Sequence, residues 1–406
     1  MIRTILILLI LAPAALAGNW PGFRGPTGDG LSGEQRLPTH WSKTANVRWK
    51  VPVQGVGVST PVVWGERVVL TASEGRLNDR LHVYCHHRRD GRLLWHTRLF
   101  GSAPTDLYAQ GGMAVPTPAT DGQRLFVLFG TGDLACLDLD GKPLWIRSLA
   151  EEYGPFRNRW GMGSSPILLG DLLVVQVDHY SQSYLLGIDA KTGANRWKTE
   201  RETAVNWTSP LPVKVKDTLQ LVLVGTEQVR AYDARNGAEL WRVRGPDEQC
   251  VASPVAEGGR VFVASKEGTF AIRLDGSTGD LTASHIAWKN KRDKPFVPSP
   301  LVYRGYLYIT GDRGFGTCLD AATGKQVWKE RLGEQYHASP VAGDGKVYFA
   351  SKEGVVRVVQ AGAEFKLLAT NDMGEEIIAS PAISEGDIFL RGTKHLFCIG
   401  AKRDRN

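Results

Sequence analysis

The chain has 406 residues, of which 42% are hydrophobic and 22% are charged. This composition excludes a largely disordered protein and predicts a globular one with a substantial core. The 49 basic and 42 acidic residues give a net charge of +7, but dense basic clusters occur only at 86–89, 289–294 and 402–405. A solvated surface explains these clusters, so we expect no nucleic-acid partner; binding of nucleic acid or anionic lipid is the less favoured alternative.

Residues 1–17 have the organisation of a secretory signal peptide. Arg3 gives a positive start, an apolar run follows, and Ala15-Leu16-Ala17 forms a cleavage site before Gly18. No cysteine follows that site, so we expect no lipid anchor there. No other apolar stretch has the roughly 18 residues that a transmembrane helix needs. The pattern predicts a periplasmic or secreted protein without a transmembrane segment, and an uncleaved membrane anchor is the alternative.

Residues 18–45 form a segment whose first half is rich in glycine and proline, which prevents a regular element from persisting there. Its glycines do not form a phosphate-binding loop, because no Gly-Lys-Ser/Thr sequence follows them. We expect Trp20, Phe23 and Arg24 to hold this segment against the body of the protein.

A repeat begins after this segment. Its first marker is a hydroxyl residue followed by proline, which suits the entry to an inner strand because proline lacks an N–H group. The marker occurs eight times, at Thr60, Thr117, Ser165, Ser209, Ser253, Ser299, Ser339 and Ser380. Each interval holds four short strand patterns separated by turns. Such a period predicts an all-β, eight-bladed propeller of four-stranded antiparallel blades over residues 46–401, followed by a basic tail at 402–406.

The second marker is a tryptophan that follows an Asp-x-x-x-Gly turn or a weaker version of it. The regular recurrence favours packing of each indole against a neighbouring blade over cofactor stacking. The tryptophans at this position are Trp49, Trp95, Trp145, Trp197, Trp241, Trp288 and Trp328. The seventh repeat has lost its tryptophan and reads Phe365-Lys366-Leu367-Leu368 instead. The eighth repeat ends before its tryptophan strand, so we expect the strand around Trp49 to complete it and close the ring.

The five cysteines do not indicate a disulfide framework. Cys85, Cys136, Cys318 and Cys398 share one strand position, which Gly187 and Ala231 hold in other repeats. Equivalent positions of separate blades are too far apart to bridge, so we expect small, buried strand residues rather than disulfides. The fifth cysteine is Cys250, and there is no Cys-x-x-Cys pair for zinc or haem.

The hydroxyl–proline marker together with the DAxTGxxxW spacing, as in residues 320–328, resembles the repeat of pyrroloquinoline-quinone (PQQ) enzymes and of the outer-membrane assembly factor BamB. The resemblance covers nearly the whole mature chain and implies an eight-bladed propeller. For the dehydrogenases it also implies an adjacent cysteine pair, calcium held by carboxylate and amide ligands, and a catalytic aspartate. This chain has no adjacent cysteines, so no catalytic residue and no metal site are assigned. PQQ with Ca²⁺ is expected only if the chain is a dehydrogenase.

The candidate binding face consists of residues that precede the proline markers and break the repeat: Arg159, Trp160, Trp207 and His337. Neither Trp160 nor Trp207 fits the position of the blade tryptophans, and aromatic residues beside arginine favour an interface. The alternative is that these side chains fill the central channel.

Two functions follow from these patterns. The favoured hypothesis is a non-catalytic exported propeller, a monomer that binds a protein or polysaccharide in the cell envelope. The alternative is a PQQ-dependent dehydrogenase that oxidises an alcohol or sugar. The fold alone does not decide between them.

Overall fold

A computed structural model describes residues 18–103, 110–158, 160–246, 248–292, 294–311 and 313–400. Eight antiparallel sheets follow one another around a ring, and consecutive strands of each blade run from the inside to the outside. The expected eight-bladed propeller is confirmed. The predicted signal peptide, the basic tail and Arg159 lie outside the described residues.

Strand β1 comprises Val47–Pro52. Blade 1 contains β2 to β5, which comprise Val62–Trp64, Arg67–Glu74, Arg80–His87 and Leu93–Phe100. Blade 2 contains β6 to β9, which comprise Ala119–Thr120, Arg124–Leu128, Asp133–Asp138 and Pro143–Ser148. A short helix, α1 (Leu149–Tyr153), follows blade 2, and the Ser148 hydroxyl caps it by accepting the Glu151 N–H. Blade 3 contains β10 to β13, which comprise Ile167–Leu169, Leu172–Val177, Ser183–Asp189 and Asn195–Arg201.

Blade 4 contains β14 to β17, which comprise Leu211–Val215, Thr218–Val224, Gln228–Asp233 and Glu239–Arg244. Blade 5 contains β18, β19, β20 and β22, which comprise Val255–Glu257, Arg260–Ser265, Gly268–Arg273 and Ile286–Asn290, while the intervening β21 (Gly279–Asp280) joins the sheet of blade 4. Blade 6 contains β23 to β26, which comprise Leu301–Tyr303, Tyr306–Thr310, Phe315–Asp320 and Gln326–Arg331. Blade 7 contains β27 to β30, which comprise Val341–Gly343, Lys346–Ala350, Val355–Gln360 and Leu367–Asp372. Blade 8 contains β31 to β33, which comprise Ala382–Ser384, Asp387–Arg391 and His395–Ile399.

The N-terminal strand closes the ring, as the sequence predicts. Strand β1 pairs antiparallel with β33, from Val47 opposite Ile399 to Pro52 opposite His395, and becomes the outer strand of blade 8. The two ends of the propeller are therefore held together by a strand ladder.

Most blade tryptophans pack their indole ring against a glycine in a turn of the next blade. The Trp95 indole donates its Nε1–H to the Leu139 carbonyl of blade 2 over 2.8 Å, and a Cβ atom added to Gly141 would lie 2.6 Å from the Trp95 ring. Gly141 also has φ 85°, so its turn needs glycine for two reasons. The same contact joins Gly91 with Trp49, Gly193 with Trp145, Gly237 with Trp197, and Gly324 with Trp288. The turn motif of one blade is thus the docking site for the tryptophan of the blade before it.

A small residue lies opposite each of these tryptophans on the adjacent strand. Cys85 pairs with Trp95, and Gly187 pairs with Trp197. A Cβ atom on Gly187 would lie 2.2 Å from the Trp197 ring, which shows how closely the indole covers this position. All five cysteines lie in the described part of the chain, where they are buried and form no disulfide. Burial raises the pKa of Cys85 to about 12, so its thiol stays protonated at neutral pH.

Trp241 docks differently. Its indole Nε1–H donates to Gln220 Oε1 in its own blade over 2.8 Å. The connection between β20 and β22 is longer than in other blades, and its Gly279 pairs with Trp241 in a parallel fifth strand. At the interface of blades 4 and 5, strand β21 therefore takes the place of the glycine turn that contacts the tryptophan in other blades.

Blade 7 obtains a tryptophan from outside the repeat. The register places Ala369 at the tryptophan position, opposite Val358, so the expectation that residues 365–368 hold this position is wrong. The adjacent Tyr348 stacks instead against Trp41 of the N-terminal segment, with ring centroids 6.4 Å apart. Trp41 is 5% exposed and belongs to the same hydrophobic cluster as Tyr348 and Ala369.

The N-terminal segment crosses one end of the central channel. It pairs with blade 1 through Trp20 and Val63, and Pro21 accepts the backbone N–H of Thr120 in blade 2. Arg24, which is buried, then donates to the Pro300 carbonyl of blade 6 over 2.8 Å. Blades 2 and 6 lie on opposite sides of a ring of eight, so the segment spans the axis.

Arg24 is held there without a carboxylate at hydrogen-bond distance among the described residues, and burial lowers its pKa to about 10. Along the described ranges, no helix has the length and apolar character needed to cross a bilayer.

Candidate functional site

The hydroxyl residues of the first marker form a ring around the channel. Seven of the eight, all except Thr60, accept the backbone N–H of their counterpart in the preceding blade, as when Ser253 Oγ accepts from Ser209 N over 2.8 Å. Equivalent bonds of 2.8 to 3.0 Å join seven successive pairs, from Thr60 through Ser380. The hydroxyl is therefore needed to satisfy an otherwise unpaired, buried N–H between blades.

A cavity of about 550 Å³ lies on the axis, and this ring lines its wall. Phe23 of the crossing segment lines it as well. The next layer consists of the residues two positions before each hydroxyl: Val58, Val115, Gly163, Trp207, Val251, Val297, His337 and Ile378. Five members of this layer are aliphatic, so Gly163, Trp207 and His337 are the exceptions.

Trp207 and Gly163 form one structural unit within that layer. A Cβ atom on Gly163 would lie 3.0 Å from Trp207 Cδ1, so the glycine of blade 3 leaves space for the indole of blade 4. The Trp207 Nε1–H donates to the Gly161 carbonyl over 2.7 Å. Its backbone N–H donates to the Cys250 carbonyl over 2.8 Å. These three contacts fix the orientation of the indole against the cavity.

The cavity mouth carries polar and aromatic side chains. Trp160 is 52% exposed and lines the cavity together with Gln249 and Gln335. The Lys266 ammonium lies 3.8 Å from the centroid of the Phe296 ring, a cation–π contact at the same mouth. Among the described residues, the site thus combines the hydroxyl ring and a mainly aliphatic layer on its walls with polar side chains and the Lys266 ammonium at its opening.

Three of the four predicted site residues come together here. Trp160, Trp207 and His337 all line the central cavity, whereas Arg159 lies outside the described residues. The indole of Trp207 partly fills the channel, and Trp160 stands exposed at the rim. The position of Trp207 agrees with the channel-filling interpretation, and the binding face stays a prediction.

Sequence reasoning did not single out Lys266 or Gln335. A signal existed for Gln335, since it and Gln249 both lie four residues before their marker serines. Lys266 belongs to a turn between β19 and β20, and nothing in the repeat pattern indicates that this turn reaches the mouth.

The residues of the cavity do not fit a calcium-bound quinone. A hard cation requires several oxygen ligands, usually carboxylates, yet none of the described lining residues is an aspartate or glutamate. Cys250, the cysteine behind Trp207, is buried, and burial raises its pKa to about 12. In the described ranges, no three His, Cys, Asp or Glu side chains are placed to hold a metal ion. No redox step is therefore derived for this site.

Comparison with known proteins agrees with this architecture. A family model described as outer membrane protein assembly factor BamB matches residues 32–154, 79–226, 181–301 and 282–364. The chain belongs to the PQQ-like β-propeller family. Within this family it is 22% identical over 290 residues to the outer membrane protein assembly factor BamB of Moranella endobia, covering 67% of this chain and 71% of the relative.

Enzymes are also among the relatives of this PQQ-like propeller. It is 24% identical over 351 residues to a tetrathionate hydrolase of Acidithiobacillus ferrooxidans, covering 76% of this chain and 66% of the relative. The quinohemoprotein alcohol dehydrogenase of Comamonas testosteroni is 14% identical and superposes with a TM-score of 0.71, covering 97% of this chain and 82% of the other. This last similarity shows the fold alone.

Proposed function

We propose that this PQQ-like propeller is a non-catalytic binding module of the cell envelope, and that it takes a protein partner at the mouth of its central channel. The observation that carries the proposal is the convergence of Trp160, Trp207 and His337 on one cavity whose described lining contains no carboxylate. Similarity to BamB, named as an assembly factor, supports a protein as the partner.

The chemistry of the mouth suits a protein surface. Trp160 offers a large, exposed aromatic face, and aromatic residues of this kind contribute much of the binding energy at protein interfaces. Trp207 is held rigidly by its bonds to Gly161 and Cys250, so it loses little conformational entropy on binding. Lys266 lies 3.8 Å from a carboxylate oxygen of Glu248 and is exposed enough to exchange this ion pair for one with an acidic segment of the partner.

The partner can be identified by affinity capture on the full chain from envelope extracts. A protein held by the wild type should be lost with Trp160→Ala and Trp207→Ala but kept with Phe100→Ala, a control on the outer strand of blade 1 where Phe100 is 75% exposed. If both tryptophan variants still captured the protein, the binding site would not be at the mouth of the channel. Binding that survives protease treatment of the extract would identify a polysaccharide partner instead.

The quinoprotein alternative has a separate test. Calorimetry with PQQ and Ca²⁺, together with a dye-linked alcohol oxidation assay, should show neither binding nor turnover, because the described cavity residues lack carboxylate ligands. Tight binding accompanied by turnover would overturn the non-catalytic proposal.

A further inference from the structure

A second cavity lies away from the axis, at the junction of blades 4 and 5. Its volume is about 530 Å³. Its walls come from the end of β17, the turn between β19 and β20, the end of β22 and the chain that leads from β22 to blade 6. Part of its wall comes from the basic cluster of the sequence, through Lys289, Lys291 and Lys294.

Glycine allows the close backbone approach that builds this cavity. Gly268 begins β20 with φ 133°, and a Cβ atom there would lie only 2.3 Å from the Asn290 carbonyl oxygen. A larger residue would push the turn away from β22, so the glycine holds the two walls together. On the opposite wall, the Pro246 carbonyl accepts the Glu227 N–H and fixes the chain after β17.

The charge of this cavity is unbalanced. Its lining includes four cations and one described carboxylate, and the cations are Arg244, Lys289, Lys291 and Lys294. The carboxylate of Glu267, whose Oε1 accepts the Glu248 N–H over 3.1 Å, offsets only one of the four positive charges. A cavity with this excess of positive charge attracts anions.

These cations also differ from most arginines on the outer strands. Arg196 pairs with Asp171 and Asp189, each at 2.7 Å, and Arg242 pairs with Glu239 at 3.1 Å. By contrast, within the ranges that the structure describes, neither Arg244 nor Lys291 forms an ion pair. Lys294 has none there either, and Lys289 lies over the Phe270 ring at 5.7 Å from its centroid. The positive charges are thus left available to an external anion.

We propose that the cavity between blades 4 and 5 binds a multivalent anion of the phosphate class. Lysine ammonium groups bind phosphate as point charges, and the four cations here reach the cavity from two blades and a connecting loop. The aromatic residue of the lining, Phe270, is only 7% exposed and offers no open face for a base or a sugar ring. The recognised feature is therefore the charged group itself. This inference does not depend on the function proposed for the central channel.

The test uses inorganic tripolyphosphate as the probe and isothermal titration calorimetry on the full chain at low salt. The variant Lys291→Gln/Lys294→Gln removes two of the cavity charges. The control Lys191→Gln/Lys366→Gln removes two charges from exposed lysines in blades 3 and 7, so both variants change the net charge equally. We expect at least a tenfold loss of affinity in the first variant, less than a twofold loss in the control, and weaker binding as salt screens the charges.

Two further arms identify the source of the phosphate group. Sedimentation with phosphatidylglycerol vesicles but not with phosphatidylcholine vesicles, abolished in the cavity variant, would indicate a lipid headgroup. Tripolyphosphate binding without sedimentation would indicate a soluble phosphate compound. The proposal is overturned if the wild type binds neither probe, if the control loses as much affinity as the cavity variant, or if citrate binds more tightly than tripolyphosphate.

Discussion

Trp41 and Tyr348 stack with their ring centroids 6.4 Å apart, although Trp41 precedes the propeller and Tyr348 lies in the second strand of blade 7. In four other blades, the aromatic residue at the register position of Tyr348 contacts the tryptophan of its own blade, with centroids 6.0 Å apart. Blade 7 has Ala369 where that tryptophan would be. The N-terminal segment therefore supplies the aromatic ring that the seventh repeat has lost.

This contact makes the segment part of the folding unit. Replacing Trp41 with alanine removes a buried indole and its Nε1–H bond to Met373 Sδ, so we expect a loss of about 3–5 kcal/mol in the free energy of unfolding. Chemical denaturation measures it. The exposed Trp160 provides the control, because its replacement with alanine should change stability by less than about 0.5 kcal/mol. Equal effects of the two substitutions would show that Trp41 does not support blade 7.

The glycine beneath each docked tryptophan gives a second prediction. Gly324 and Gly305 lie in turns of the same blade with φ of 69° and 78°, so alanine strains both backbones alike. A Cβ atom at Gly324 would lie 2.4 Å from the Trp288 ring, whereas at Gly305 it would meet no atom within 4 Å. Gly324→Ala should therefore destabilise the protein by about 1–3 kcal/mol more than Gly305→Ala, as measured by the thermal and denaturant midpoints. Matching losses would mean that the indole moves away at little cost.

The hydroxyl ring can be tested at one link. Ser253 Oγ accepts the Ser209 N–H over 2.8 Å, and both residues are buried. Ser253→Ala leaves that N–H without its acceptor, so we expect a loss of about 1–3 kcal/mol in unfolding free energy. Ser253→Thr should retain most of the stability, because the hydroxyl of Thr117 accepts the equivalent bond from the Thr60 N–H of the preceding blade. A threonine variant as unstable as the alanine variant would attribute the effect to packing rather than to the hydroxyl.

The parts of the fold that recur could be predicted from the sequence. The hydroxyl–proline marker located the inner strands, and the unpaired strand around Trp49 indicated how the ring closes. Each of these features repeats around the ring, so one copy supports the interpretation of the others. The pairing of small residues with tryptophans, as between Cys136 and Trp145, has the same basis.

The contacts that occur only once could not be predicted in this way. Trp41 meets Tyr348 across most of the length of the chain, and no spacing in the sequence links the two. Lys266 lines the cavity and contacts the Phe296 ring, and this contact between residues of two different loops has no counterpart in the repeat. Trp160 and Trp207 stood out because they break the repeat. That both line one cavity depends on the arrangement of the blades around the axis, which the sequence does not give.

The carboxylate of Asp344 should make the attachment of the N-terminal segment to blade 7 dependent on pH. Its carboxylate accepts hydrogen bonds from Lys346 Nζ over 2.7 Å and from the Leu37 N–H over 3.1 Å. The bond from Lys346, followed by smaller contributions that include the backbone of Leu37, holds the pKa of Asp344 below its ordinary value. Because the folded pKa is lower than the unfolded one, the carboxylate stabilises the fold above the ordinary aspartate pKa of about 4, and this contribution is lost as the pH falls through the folded pKa.

The variant Asp344→Asn separates the charge from the backbone shape, since asparagine also tolerates the φ of 52° at this position. We expect it to be less stable than the wild type at pH 7, with the difference shrinking as the pH falls through the lowered folded pKa of Asp344 and the wild-type carboxylate becomes protonated. Denaturant midpoints across this pH range provide the measurement. Asp217→Asn, at an exposed turn, should follow the wild type throughout. A stability difference for Asp344→Asn that stays constant with pH would show that the charge does not hold the segment.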